Sequence, residues 1–316
     1  MIELPAVTLR GGLGNQLFQL AFQLSSRPVG NIYLDVSSAY SQKSAQIDLL
    51  KFVLPTRVKI CENSKLGSRI SRTINSRLLR MGLLVYKKNY LILVLRFIEF
   101  LTSIYYSIYL RTLIIFRVAI GNGYDKRITL SNSRRCLNIG FFQSYRWVLD
   151  GSVRDEIFHL RLDEPSEELL SLIKLAQVVK PLIVHIRLGD YLNDLSRGIP
   201  DKIYYNSGIQ LLVKDHQPKE IWIFSDDELF AREYLRLEYP NLRWFSKVNN
   251  SDVETFELMR HGSSYLIGNS TFSWWAATLS YSLHPEVIAP SPWFIASPIP
   301  QDLLWENWKT LPAWDK

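Results

Sequence analysis

The chain has little cysteine and no uninterrupted apolar run long enough to cross a membrane. Only Cys61 and Cys136 occur among its 316 residues, too few for a disulfide framework and without metal-ligand spacing, so a reducing compartment is expected. The first residues, Met1 to Ala6, lack the charged-then-apolar pattern of a signal peptide, so we expect neither a leader nor a membrane anchor. These absences predict a cytoplasmic or peripheral protein.

Two ligand-binding signatures are also missing. The segment Gly11-Gly12-Leu13-Gly14 would need glycine at position 17 to be a dinucleotide fingerprint, and Leu17 stands there. No Asp-x-Asp metal motif ends a predicted strand. The Gly-rich turn still places backbone N–H groups and the Asn15 amide at a helix N-terminus, which favours an anionic group.

Positive charge is concentrated in one part of the chain. The net charge is +7, yet residues 57–135 carry 16 Lys and Arg against three acids, a net charge of +13, which leaves −6 for the remainder. This window is also apolar and aromatic, which is typical of helices on an anionic membrane surface, here the inner face of the cytoplasmic membrane. Core-packed helices with solvated arginines are the alternative. Nucleic acid is not expected as a partner, because aliphatic residues interrupt the basic block.

The order of predicted elements indicates an α/β protein of two domains. A strand over 5–10, a helix with Leu17, Leu20, Ala21 and Leu24 on one buried face, and a strand over 31–35 make a βαβ start. Strands and helices alternate again after residue 180, and a helix is expected around 303–309. We place the boundary near 140–154, giving domains 1–150, with the basic apolar insertion at about 57–135, and 151–316.

Polar side chains follow three strands of the predicted C-terminal sheet. They are Arg187 with Asp190, Ser225 with Asp226, and the run Asn269-Ser270-Thr271. An open α/β sheet binds ligands beyond the carboxyl ends of its strands, so together these groups predict a nucleotide diphosphate site. Each has a structural alternative as well. Arg187 could pair with Asp190 to tie down the loop, and Asp226, Ser270 or Thr271 could cap the following helix.

Several motifs resemble those of the α-1,2-fucosyltransferases of glycosyltransferase family eleven. His185-Ile186-Arg187-Leu188-Gly189-Asp190-Tyr191 is similar to the family's H-x-R-R-G-D-Y motif. The other matching segments, in chain order, are Gly11 to Gln16, Gly140 to Gln143, Phe224 to Asp227, and Asn269 to Ala277. Elements in the right order from position 11 to 277 make the resemblance specific.

The resemblance implies a GT-B-like fold, in which two Rossmann-like domains face a cleft and the C-terminal domain binds the sugar nucleotide. It implies inverting, metal-independent transfer of L-fucose from GDP-β-L-fucose to a galactoside hydroxyl in α-1,2 linkage, in surface glycan synthesis, with an acceptor that could be lipid-linked. Arg187 would then meet the donor diphosphate. The donor-binding residues implied are Gly12, Gly14, Asn15, Arg187, Ser225, Asp226, Asn269, Ser270, Thr271, Phe272 and Ser273.

The departure from the family pattern is Leu188, which stands where the second arginine is usual. Leu188 follows Arg187 on an extended segment and should point to the opposite side. Catalysis also needs a base for the acceptor hydroxyl. Asp190, His185 and Asp194 are the candidates, and Asn15 could hold the fucose or the acceptor oxygen. Asp190 could instead orient Arg187, and His185 could be a core residue.

Two other functions stay open from the sequence. One is transfer to a different acceptor class, such as a protein or another sugar. The other is a non-catalytic membrane-surface protein that binds nucleotides or glycans, which the substitution at Leu188 would fit.

Overall fold

The computed structural model describes residues 6–37, 47–62, 118–121, 123–124, 137–194, 196–296, 299–300 and 302–314. The predicted basic apolar insertion at 57–135 therefore lies almost entirely outside the described residues, as does Cys136. The side chains of 118–121, Asp190 and Asn193 also lie outside them.

The described elements alternate between strands and helices along the chain. The strands are β1 (Ala6–Thr8), β2 (Ile32–Asp35), β3 (Phe52–Val53), β4 (Val58–Cys61), β5 (Val118–Gly121), β6 (Leu137–Gly140), β7 (Arg161–Leu162), β8 (Leu182–Ile186), β9 (Ile221–Ser225), β10 (Leu242–Phe245), β11 (Ser264–Leu266), β12 (Glu286–Ser291) and β13 (Lys309–Pro312). The α-helices are α1 (Leu13–Ser26), α2 (Gly151–Phe158), α3 (Glu167–Val179), α4 (Lys202–His216), α5 (Glu228–Leu235), α6 (Asp252–Met259) and α7 (Thr271–Thr278). Short 3-10 helices occur at Asp48–Lys51, Tyr145–Val148 and Gly189–Asn193.

Two parallel sheets organise these elements. The first has the order β4-β2-β1-β6-β5, and the second has the order β10-β9-β8-β11-β12-β13. Numbered from its own first strand, the second sheet runs 3-2-1-4-5-6, the order of a dinucleotide-binding sheet. In both sheets the strands that follow the first strand in sequence are added on one side of it, and the later strands of the sheet lie on its other side. The reversal points, between β8 and β11 and between β1 and β6, are where such sheets bind ligands.

The two sheets are joined by a contact between the N-terminal turns of α1 and α7, which follow the carboxyl ends of β1 and β11. Gly14, in the first turn of α1, approaches Thr271, the first residue of α7, so closely that a Cβ on Gly14 would lie 2.6 Å from the Thr271 Oγ1. Further along, the Phe18 ring packs on those of Trp274 and Trp275, with centroids 4.6 and 4.9 Å apart. The prediction of an α/β, GT-B-like fold with two Rossmann-like units across a cleft is confirmed.

Helix α1 is buried on more than the one face that its periodicity predicts. Its apolar positions are buried as expected, but Gln16, Gln19 and Gln23 are buried too, because the helix lies between the first sheet and α7. Buried amides need hydrogen-bond partners. Gln16 donates to the Gly11 carbonyl and accepts from the Leu49 amide, at 2.8 and 2.9 Å.

The C-terminal segment corrects one prediction. Residues around 303–309 form no helix; Lys309 begins the edge strand β13. The segment still packs against earlier parts of the chain, since Trp305 stacks on Tyr145 and lies near Trp274. Trp305 therefore packs from a segment of turns that precedes β13.

The division at residue 150 stays a prediction. Helix α2 follows it directly but packs on α1, and β7 pairs with β3 of the first part. No helix among the described residues is long and apolar enough to span a membrane.

Candidate active site at the facing edges of the sheets

Arg187 and Asp226 form the charged centre of the site. Arg187 follows β8, Asp226 follows the neighbouring strand β9, and their side chains are joined by an Nη1–Oδ2 contact of 3.0 Å. The other oxygen of Asp226 accepts a hydrogen bond of 2.8 Å from the Leu188 amide. A Cβ on Gly189 would lie 2.4 Å from Oδ2, so glycine is needed there. Asp226 therefore holds both the guanidinium and the backbone beside it.

The Arg187 side chain remains accessible although it is paired. It is 38% exposed, and the Asp226 side chain is 20% exposed. A guanidinium presents its donors in a planar fork, which matches the geometry of phosphate oxygens. The structure thus presents a fixed positive charge at the carboxyl edge, at the reversal point of the second sheet. Each oxygen of Asp226 thus takes part in one of the two contacts, with Arg187 or with the Leu188 amide.

Leu188 is fully buried and belongs to the core. It continues the face made by Leu182, Val184 and Ile186, whose side chains pack together beneath the sheet. The prediction that Leu188 points away from Arg187 is confirmed.

His185 is the last but one residue of β8, and its side chain is buried. Its ring packs beside that of Phe272, with centroids 5.8 Å apart, and among the described residues its Nδ1 has no hydrogen-bond partner. Burial, with a smaller contribution from the Arg187 charge, lowers the pKa of His185 to about 3. An imidazole with so low a pKa is a weak proton acceptor, so this placement argues against His185 as the general base.

The segment after β11 brings the N-terminus of α7 to Arg187. A Cβ on Gly268 would lie 3.7 Å from the Arg187 amide nitrogen. Ser270 is the N-cap and accepts a hydrogen bond from the Phe272 amide at 3.3 Å. The Thr271 and Phe272 side chains are partly exposed. A helix N-terminus offers N–H donors to an anion, so a diphosphate between Arg187 and α7 would be held from two sides.

Three side chains that were predicted to contact the donor form hydrogen bonds within the protein. The Asn269 side chain donates to the carbonyls of Arg197 and Gly198, at 3.2 and 2.9 Å, and so holds the loop after β8. The Ser273 hydroxyl is fully buried and donates to the Ser270 carbonyl. The buried Ser225 hydroxyl bonds to the backbone of Asp227, which caps α5. These side chains hold the backbone around the site, and their predicted contacts with the donor are not supported.

The Gly-rich turn forms the opposite wall. Gly11 has a φ of +71°, and a Cβ there would lie 2.6 Å from the Asn15 amide nitrogen, so both features require glycine. Gly12 has open space where a Cβ would be, which lets a ligand approach the backbone. The Asn15 oxygen accepts a hydrogen bond of 2.8 Å from Gln143, a residue that follows β6. Gln143 orients Asn15, a role that its motif hinted at and the sequence analysis left unassigned.

The candidate bases on the loop after β8 differ in what can be said of them. The Asp190 side chain lies outside the described residues. Asp194 accepts hydrogen bonds from Ser196 and pairs with Arg197 at 3.1 Å. Burial acts to raise the pKa of Asp194, but these bonds and the Arg197 charge outweigh it and leave the pKa below its usual value. Asp194 therefore serves loop structure, and the base stays unassigned.

Comparison with known proteins decides the family. A family model described as glycosyl transferase family 11 matches residues 114–299, more than half of the chain. The chain belongs to glycosyl transferase family 11. The matched range contains Arg187, Asp226 and Thr271.

Two curated relatives from Escherichia coli are similar in sequence. An alpha-1,2-colitosyltransferase is 29% identical over 54% of this chain and 60% of its own length. The O-antigen biosynthesis glycosyltransferase WbnK is 28% identical over 90% of this chain and 93% of its own length. Among solved structures, the fucosyltransferase NodZ from Bradyrhizobium covers 89% of this chain and 94% of its own, with 14% identity and a TM-score of 0.46. That structural likeness adds nothing to the family assignment.

Proposed function

We propose that this family 11 glycosyltransferase transfers L-fucose from GDP-β-L-fucose to a galactoside hydroxyl, forming an α-1,2 linkage with inversion. The observation that carries the proposal is the accessible Arg187 guanidinium, held by Asp226 at the end of β8, next to the segment that leads into α7. This arrangement suits a leaving group that gains negative charge, as a nucleoside diphosphate does when the glycosidic bond breaks.

The reaction step that the geometry supports is departure of the diphosphate. Arg187 is already oriented, so its charge stabilises the phosphate oxygens without rearrangement in the transition state. The N–H groups at the start of α7 add donors on the same side. With these charges in place, no metal ion is required, and we expect transfer without one. The proton of the acceptor hydroxyl leaves to a base that the described side chains do not identify.

The biological setting proposed is O-antigen synthesis. WbnK, whose name states that setting, matches over nearly the whole chain. The other relative, the alpha-1,2-colitosyltransferase, favours one alternative donor, because its name states colitosyl transfer in α-1,2 linkage. Colitosyl transfer is therefore the second candidate, and the two differ only in the sugar.

A turnover assay tests the donor and the metal. Purified protein is incubated with GDP-fucose and β-galactosides in the presence of EDTA, and release of GDP and the product linkage are measured. We expect release and an α-1,2 product. Activity with only a colitosyl donor selects the second candidate. Activity lost to EDTA and restored by a divalent cation contradicts metal independence, and GDP binding without any turnover favours a non-catalytic nucleotide-binding protein.

Replacement of Arg187 tests the observation that carries the proposal. Arg187→Ala should lower kcat by roughly 100- to 1000-fold, the usual loss for one preorganised transition-state donor. Arg243→Ala is the matched control, because it removes an exposed, carboxylate-paired arginine from the same sheet. Near-normal turnover in Arg187→Ala, or an equal loss in Arg243→Ala, would refute the role of Arg187.

Peripheral contact with an anionic membrane is a further part of the proposal. It rests on the composition of residues 57–135 and fits a lipid-linked acceptor. Co-flotation with vesicles of phosphatidylglycerol, compared with phosphatidylcholine, measures it. We expect binding to the anionic vesicles that weakens as salt rises; equal recovery with both lipids contradicts an electrostatic contact.

A further inference from the structure

Arg10 lies at the reversal point of the first sheet, and the predicted donor site does not use it. It follows β1, and Phe141 follows β6, the strand beside β1 on the other side of the reversal. Open α/β sheets bind ligands in the crevice at such points. The first sheet therefore has a candidate site of its own, across the cleft from Arg187.

Gln19 builds this corner from inside the protein. Its side-chain oxygen accepts a hydrogen bond of 3.0 Å from the Arg10 amide, and its nitrogen donates to the Gly140 carbonyl at 2.8 Å. Gln19 is fully buried in α1. One buried amide thus joins the ends of β1 and β6 and fixes the backbones from which the Arg10 and Phe141 side chains leave.

The Arg10 guanidinium is partly buried, and among the described residues it has no carboxylate partner. It lies 5.9 Å from the centre of the Phe141 ring. Its burial lowers the pKa of Arg10 from the ordinary value, although an arginine remains charged at neutral pH. Placing a cation in this way costs free energy that a bound anion would recover.

We propose that Arg10 and Phe141 form an oxyanion site that takes a phosphate group of a substrate. Stacking on a ring orients the guanidinium, whose planar fork then matches two phosphate oxygens. The site deepens the proposed function and rests on it for the source of the phosphate. That source is either the donor diphosphate, reached across the cleft, or the pyrophosphate of a lipid-linked acceptor.

Binding measurements separate these sources without requiring turnover. GDP and dodecyl pyrophosphate are titrated calorimetrically into the full chain, into Arg10→Met and into Lys59→Ala. Arg10→Met keeps an aliphatic side chain over the ring but removes the charge. Lys59→Ala removes one exposed charge from β4, two strands away in the same sheet. Thermal unfolding shows whether each variant is folded.

Loss of a charge-assisted contact should weaken one ligand by roughly ten- to hundredfold in Arg10→Met. Weaker GDP binding assigns the phosphate to the donor, and weaker dodecyl pyrophosphate binding alone assigns it to the lipid-linked acceptor. Unchanged affinity for both, or equal losses in Lys59→Ala, overturns the site. Where Arg10→Met fails to fold, Arg10→Gln, which also removes the charge, takes its place, and unchanged affinity for both ligands there overturns the site. A protein that binds GDP through Arg10 but does not use GDP-fucose retains the site and loses only the proposed donor.

Discussion

At the scale of residues, the site depends on the opposite directions that two successive side chains take just after β8 ends. Arg187 and Leu188 are neighbours in sequence but lie on opposite sides, one at the cleft and one in the core. A second arginine at position 188 would enter the core of this protein. Arg10, across the cleft, is the residue that we propose as a further cation.

Replacing Leu188 by arginine tests this placement. Leu188→Arg should lower the free energy of unfolding by at least about 3 kcal/mol, because an unpaired charge would be buried among aliphatic side chains. Urea denaturation measures the change. The matched control Leu188→Met keeps the volume and should cost less than about 1.5 kcal/mol. A stable Leu188→Arg protein with raised activity would show that the loop can turn this position toward the cleft.

His185 predicts a pH dependence of stability. Its pKa is about 3 in the folded chain and near the ordinary value of 6.5 in the unfolded chain, so between these values only the unfolded chain binds the proton. The native state therefore loses stability as the pH falls from 6.5 toward 3. The contribution lost between pH 7.5 and 4.5 is about 2–3 kcal/mol.

Unfolding of the wild type and His185→Gln at pH 7.5 and 4.5 isolates this effect from that of the carboxylates. We expect the fall in unfolding free energy to be smaller by about 2–3 kcal/mol in the variant, since glutamine does not titrate. Parallel pH profiles for the two proteins would show that His185 is charged in the native state.

At the scale of elements, the contact between α1 and α7 sets the distance between the two walls of the cleft. The approach of Gly14 to Thr271 leaves no room for a side chain, while two positions earlier Gly12 has open space around it. Both glycines belong to one turn, yet they serve different ends. Gly14 allows helix packing, and Gly12 leaves the backbone open on one side.

Alanine at each glycine distinguishes these roles. Gly14→Ala should destabilise by about 1–3 kcal/mol through overpacking, although alanine is the better helix former. Gly12→Ala should cost less than about 1 kcal/mol in stability. Thermal unfolding and the KM for the donor are the measurements. A Gly14→Ala protein as stable as the wild type would mean that α7 can move away from α1.

At the scale of the whole molecule, a buried arginine fastens the bridging helix α2 to the second half. The Arg260 guanidinium is 1% exposed and donates to the carbonyls of Phe158 and Leu279, at 2.7 and 3.0 Å. It also pairs with Glu257 at 2.7 Å and lies over the ring of Tyr281. Since α2 packs on α1 as well, this cluster joins the two sheets.

Removal of this charge should weaken the entire fold. Arg260→Met leaves the two carbonyls without this donor and removes the only arginine charge paired with Glu257 among the described residues, although Tyr281 and His261 stay beside Glu257. We therefore expect a loss of about 3 kcal/mol in urea denaturation. Arg232→Met is the control, because its exposed pair with Glu228, within one helix, should contribute less than about 1 kcal/mol. A loss below 1 kcal/mol in Arg260→Met would show that water replaces the guanidinium.

The sequence alone determined the α/β alternation and the strand ends at Arg187, Asp226 and Asn269, because strand and turn signals are local. The family followed from short motifs that matched in order. The tertiary structure decided which of these groups face the cleft. Asn269, Ser225 and Ser273 turned inward, Asp226 became the partner of Arg187, and Gln19 brought Arg10 beside Phe141. The reason is that these outcomes depend on contacts between segments far apart in the chain, whose geometry only the packing of two sheets and the helices between them fixes.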